Sequence, residues 1–137
     1  VSINAKPIIK SVDELKREAC FIVYEPYVAD LHDQWMSKET IEKACINFNE
    51  SLKKGVVVPN LFHCKNPETK IAEPTDSFSI LKSWTTPVDC VIGDEPVTEG
   101  TWLTVIKFHN DALWNAFYVE KTVSGVSIGA RGKIGND

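Results

Sequence analysis

The stretch that most limits what this chain can become is Thr101-Trp102-Leu103-Thr104-Val105-Ile106-Lys107-Phe108. Its apolar residues fall on both alternating sets. A strand of that kind needs cover on both faces, so it predicts a central position in a sheet. A second continuous apolar run, Ala19-Cys20-Phe21-Ile22-Val23-Tyr24, predicts another buried strand, ended by Pro26.

The cover is legible too. Ile41, Ala44, Cys45, Phe48 and Leu52 recur at helical spacing, while Glu39, Glu42, Lys43, Asn47 and Glu50 fall on the opposite side. Ser37 is placed to cap this helix and Gly55 to end it. Asn110 caps a shorter helix over 111–120 that turns Leu113, Trp114 and Phe117 inward. Ser11 is placed to cap one or two helical turns through Arg17.

Further strands are predicted at Pro7-Ile8-Ile9 (an edge), Val56-Val57-Val58, Ser77 to Trp84, Asp89 to Ile92, and Ser124 to Ala130. Residues 66–76, with Pro67 and Pro74, read as a connection or flap. The sum is an α+β chain: about six or seven short strands, mainly antiparallel, with two or three helices. Short strands with turn signals favour closure as a β-barrel with the helices packed outside.

Near the C-terminal end, Val123-Ser124-Gly125-Val126-Ser127-Ile128-Gly129 places a serine between two branched residues, with a glycine beyond each. The branched pair favours extended backbone, and the glycines admit a close-approaching chain. The match to G-x-S-x-G is not the nucleophile elbow of an α/β-hydrolase. That elbow needs a helix after the serine and then an acid and a histidine. Here a glycine-rich basic stretch follows, and His32, His63 and His109 all precede Ser127. Two readings remain. Ser127 is a small residue in a packed strand, or a nucleophile with its histidine earlier in the chain. His63, at the end of an apolar run and before a polar loop, is the candidate base, or else a half-buried structural histidine. His109 reads as a surface or capping residue.

The chain of 137 residues is long enough for one core. Its formal net charge of −4 gives no electrostatic case for nucleic acid or an acidic membrane surface. Cys20, Cys45, Cys64 and Cys90 form no C-x-x-C pair and read as reduced thiols of an intracellular protein. Asp30, His32 and Asp33 lack further residues at metal spacing and read as a hydrogen-bonded loop. No signal peptide or membrane-spanning run is expected. The first residue is Val, which suggests a preceding piece.

Taken together, Phe21 to Pro26, Asp30 to Ser37 with the helix Glu39 to Ala44, Ser83 to Gly93, Glu99 to Phe108, Asp111 to Trp114 and Ser124 to Gly129 resemble the XkdF-like branch of the phage prohead (head maturation) serine proteases. The resemblance implies a fold like the herpesvirus assemblin protease. It implies a single domain over 1–137 that lacks the family's C-terminal strand or strands. It also implies an endopeptidase that cuts scaffold and capsid proteins inside the immature head, in the host cytoplasm, with no cofactor or metal. Ser127 matches the nucleophile and His63 the base. The family's third triad member and oxyanion-hole segment are expected after the serine, where ten residues follow and Asp137 is the one acid. Asp33 stands where the family's loop usually carries glycine. The alternative is a protease-like domain without catalysis, serving as a virion component, with Trp35 or Trp84 as partner anchors. A homodimer is an expectation from the same resemblance.

Overall fold

The computed structural model describes residues 2–28, 35–54, 57–60, 78–120 and 126–130. Eight strands are present among them: β1 (Ser2–Pro7), β2 (Glu18–Tyr24), β3 (Val57–Asn60), β4 (Phe78–Thr85), β5 (Cys90–Ile92), β6 (Glu95–Val97), β7 (Trp102–Phe108) and β8 (Val126–Ala130). Helix α1 spans Lys38–Lys53. Helix α2 spans Asp111–Trp114 and widens into a π turn over Asn115–Val119.

Six strands form one antiparallel sheet in the order β3-β8-β1-β2-β7-β4, and β5 and β6 form a separate hairpin. β7 lies between β2 and β4, as its two apolar faces require. Alternation along β2 and β7 then divides the core. Ala19, Phe21, Ile106 and Phe108 join Ile41, Cys45 and Phe48 of α1 and Leu113, Trp114 and Phe117 of the second helix. Cys20, Ile22 and Leu103 point the other way and join Ile8, Val97, Cys90 and Ile92, the last three from the hairpin. The molecule is thus three layers: helices, sheet, hairpin.

Helix α1 begins where Ser37 Oγ accepts from Thr40 N at 3.2 Å. It is docked by polar contacts as well as its apolar stripe. Asn49 Nδ2 donates to the Ser83 carbonyl at 3.0 Å, and Trp102 Nε1 donates to Ser83 Oγ at 2.9 Å. Asn110 Oδ1 accepts from Leu113 N at 3.0 Å at the start of α2.

Three expectations are corrected. The first is the barrel of assemblin type. Among the described residues the sheet is open, with β3 and β4 at its two edges, and the two helices share one face. Closure would need the sheet to curl until its edges pair. Here the face away from the helices is covered by β5 and β6, which pair with each other and not with the sheet. Read from sequence, these short strands look like further staves.

The second correction concerns Pro7-Ile8-Ile9, expected as an edge strand: the strand is β1 (Ser2–Pro7), which is held between β8 and β2, while Ile8 lies beyond it and Ile9 opens a 3-10 turn. The third concerns 11–17. A 3-10 turn covers Ile9–Ser11, and the chain then reverses at an Asp13–Glu18 bridge instead of forming a helix. Asp13 Oδ1 accepts from the backbone of both Leu15 and Lys16 at 3.1 Å, and Arg17 takes φ 57°. An aspartate side chain that captures backbone donors in this way offers the chain a turn in place of a helix. Ser11 instead ties the turn to β2, accepting from Cys20 N at 2.9 Å.

Candidate functional site

Ser127 occupies the second position of β8. Its backbone pairs with Asn4 of β1 on one side and with Asn60 of β3 on the other. A strand bonded along both edges has little freedom to shift, which is what a precisely aimed group requires. The face to which position 127 belongs follows from register. Cross-strand partners share a face and successive residues alternate. Ala5 is buried under the helices, whereas Lys6 pairs with Ile22, which is buried under the hairpin. Positions 4, 6 and 127 therefore belong to the hairpin's face of the sheet.

His63 lies outside the described residues, as do His32, Asp30, Asp33 and Cys64. The described part of β3 ends at Asn60, the partner of Ser127, three positions before His63 in the chain. Of the proposed anchors, Trp35 is 63% exposed, and its ring lies 5.7 Å from that of Tyr27, which is also exposed and has φ 61°. Trp84 is half-buried against the core beneath the hairpin.

His109 is where sequence reasoning missed a contact. Its Nε2 lies 2.6 Å from Ser79 Oγ, an exposed serine–histidine hydrogen bond that fastens β4 to the end of β7. The cap belongs to Asn110. Nothing in a serine and a histidine thirty positions apart signals this; the pairing of Phe78 with Phe108 creates it. From β8 to β4 the sheet order crosses β1, β2 and β7, a separation of about 19 Å at the usual strand spacing. The pair is therefore remote from Ser127.

Cys20, Cys45 and Cys90 carry free thiols. Burial, with Cys90 nearby, pushes the Cys20 thiol up to about 11. Burial also raises Cys45, against the opposing contacts of Ser83 and Asn49. Neither has the depressed value of a reactive cysteine. Among the described residues no group of three or more His, Cys, Asp or Glu is arranged to hold a metal ion. None of their helices is long and apolar enough to cross a membrane.

Comparison with known proteins bears on the same residues. The profile of the family described as "Putative phage serine protease XkdF" matches residues 5–135. The chain is 29% identical over 105 residues to the phage-like element PBSX protein XkdF of Bacillus subtilis (strain 168). That match covers 77% of this chain and 34% of the relative, so the chain spans about a third of that protein. No solved structure matches.

Proposed function

The chain belongs to the XkdF family of putative phage serine proteases, and from that premise we propose that it is a head-maturation serine endopeptidase with Ser127 as nucleophile and His63 as general base. Ser127 Oγ attacks a peptide carbonyl as its proton passes to the His63 ring. The ring returns that proton to the departing amine, leaving an acyl-enzyme that water then hydrolyses. The substrates are scaffold and capsid proteins of the immature head.

The observation that carries this reading is the register of Asn60 with Ser127. His63 follows Asn60 by three positions in sequence, a stretch of chain that spans at most about 11 Å. A base on a segment remote from β8 would have no such constraint.

The test is labelling with a fluorophosphonate, with the modified serine located by peptide mapping. Reaction at Ser127, lost in both Ser127→Ala and His63→Ala, is the expected result. The hydrogen-bonded Ser79–His109 pair supplies an internal rival. Label on Ser79, abolished by His109→Ala, would move the nucleophile to the far side of the sheet. No label on either serine would leave a protease-like component of the phage head without catalysis.

A further inference from the structure

Between the sheet and the β5–β6 hairpin, two thiols belong to one apolar cluster. Cys20 of β2 is 6% exposed and sits in the core with Ile8, Ile22, Val97 and Leu103. Cys90, the first residue of β5, packs against the same core from the hairpin and is partly open to solvent. Register brings the two toward each other. Cys90 pairs across the hairpin with Val97, which is itself buried in that core. Ile92 packs there as well, whereas Val91 between them is 67% exposed. Alternation therefore turns the Cys90 side of β5 toward the sheet. On β2, Cys20 and Ile22 belong to the side that faces the hairpin. Charge on Cys90 reaches Cys20. Both thiols are free, and the protease reading uses neither.

Their unequal exposure orders a reaction. Thiol–disulfide exchange starts from an accessible thiolate. Cys90 is the thiol that a soluble disulfide can reach. Its thiolate attacks one sulfur of oxidised glutathione, a mixed disulfide forms at Cys90, and one glutathione leaves. Cys20 then gives its proton to solvent, attacks Cys90 Sγ and releases the second glutathione. The two protein thiols are oxidised to one disulfide, and one oxidised glutathione is reduced to two glutathiones. The second step needs no reagent inside the core, because Cys90 carries the leaving group to Cys20.

We propose that Cys20 and Cys90 form a redox-sensitive staple: two thiols under reducing conditions, and a disulfide that fastens the hairpin to β2 when the protein meets a small-molecule disulfide such as oxidised glutathione. Among the described residues the hairpin makes no strand pairing with the sheet, so this bond adds a tie that the backbone ladder lacks. The inference stands apart from the protease reading.

The experiment places the full chain in graded ratios of oxidised to reduced glutathione, blocks the remaining thiols with N-ethylmaleimide, and maps unreduced tryptic peptides by mass spectrometry. The lysines and arginines put the four cysteines on separate peptides. Peptides 18–38 and 83–107 should appear joined, with a yield independent of protein concentration. Closure should quicken as pH rises, because burial holds the proton on Cys20. The closed form should gain several degrees in Tm, since the link restricts the unfolded chain. Its β5–β6 amides should exchange more slowly. Dithiothreitol should reverse both changes, and Cys90→Ser, at a partly exposed position, should show neither. Glutathione retained on Cys90 with Cys20 unlinked would overturn the staple. So would Cys20 joined to another cysteine, or both thiols intact at the most oxidising ratio. A joined peptide with unchanged hairpin exchange would remove the conformational effect and the proposal with it.

Discussion

Gly100 shows how a single missing side chain holds two elements together. Its φ is +88°, and a Cβ placed there would lie 2.6 Å from Lys38 Cβ, at the start of α1. Its N–H donates to the Thr86 carbonyl at 2.9 Å, and Lys38 above it pairs with Glu99 at 2.9 Å. An alanine would carry the left-handed backbone penalty of about 1–2 kcal/mol and displace the helix start as well. Gly100→Ala should lower Tm by at least about 4 °C in a melt followed by circular dichroism. A Tm within about 1 °C of the parent would mean that the turn and the helix start are not coupled. Cys20 makes a second prediction at this scale. Its folded thiol ionises near 11, whereas the ordinary value is 9.0, so the unfolded chain loses this proton first. The resulting contribution is intact below pH 9.0 and is lost as pH rises toward 11. The urea midpoint should fall across that window by less in Cys20→Ala than in the parent. An equal fall in the two would assign the alkaline loss to other groups.

Elements whose character is set by their own residues were legible in the sequence. The stripe of Ile41, Cys45 and Phe48 with Ser37 at its head specifies α1, and all three apolar residues are buried. Two-sided apolarity specifies β7 as interior. What local pattern does not carry is partnership. Nothing in Ser2–Pro7 tells an edge from a strand held between two others, because its neighbour β8 comes from the far end of the chain. β6 contains Pro96 and, among the described residues, pairs with β5 and not with the main sheet, so proline fits there without costing that sheet a ladder bond. The turn at 13–18 looks like a helix in sequence because Ser11 and the following acids resemble a helix start, whereas the backbone N–H groups of Leu15 and Lys16 donate to Asp13 Oδ1 and close a turn. The site divides along the same line. Branched residues and glycines mark the strand of Ser127, but its register with Asn4 and Asn60 is a long-range fact with no local signal.

At the scale of the whole molecule, the layers rank the strands by protection. β2 and β7 are flanked by strands on both sides and covered by helices on one face and the hairpin on the other. Their amides should exchange slowest, those of edge strand β4 faster, and those of the isolated β5–β6 pair fastest. Hydrogen exchange read by mass spectrometry checks that order, and a hairpin as slow as β7 would show that the third layer unfolds only with the sheet. The seating of β8 between β1 and β3 has a consequence in time as well as in space. The strand bearing Ser127 is supplied by one end of this sequence and one of its two partners by the other, so their contact closes the longest loop in the fold. Contacts of that range form late. During synthesis, a chain that has not yet been made past Ala130 has no complete β8 to seat. Among the described strands, the one that bears Ser127 is therefore the last that synthesis supplies to the sheet.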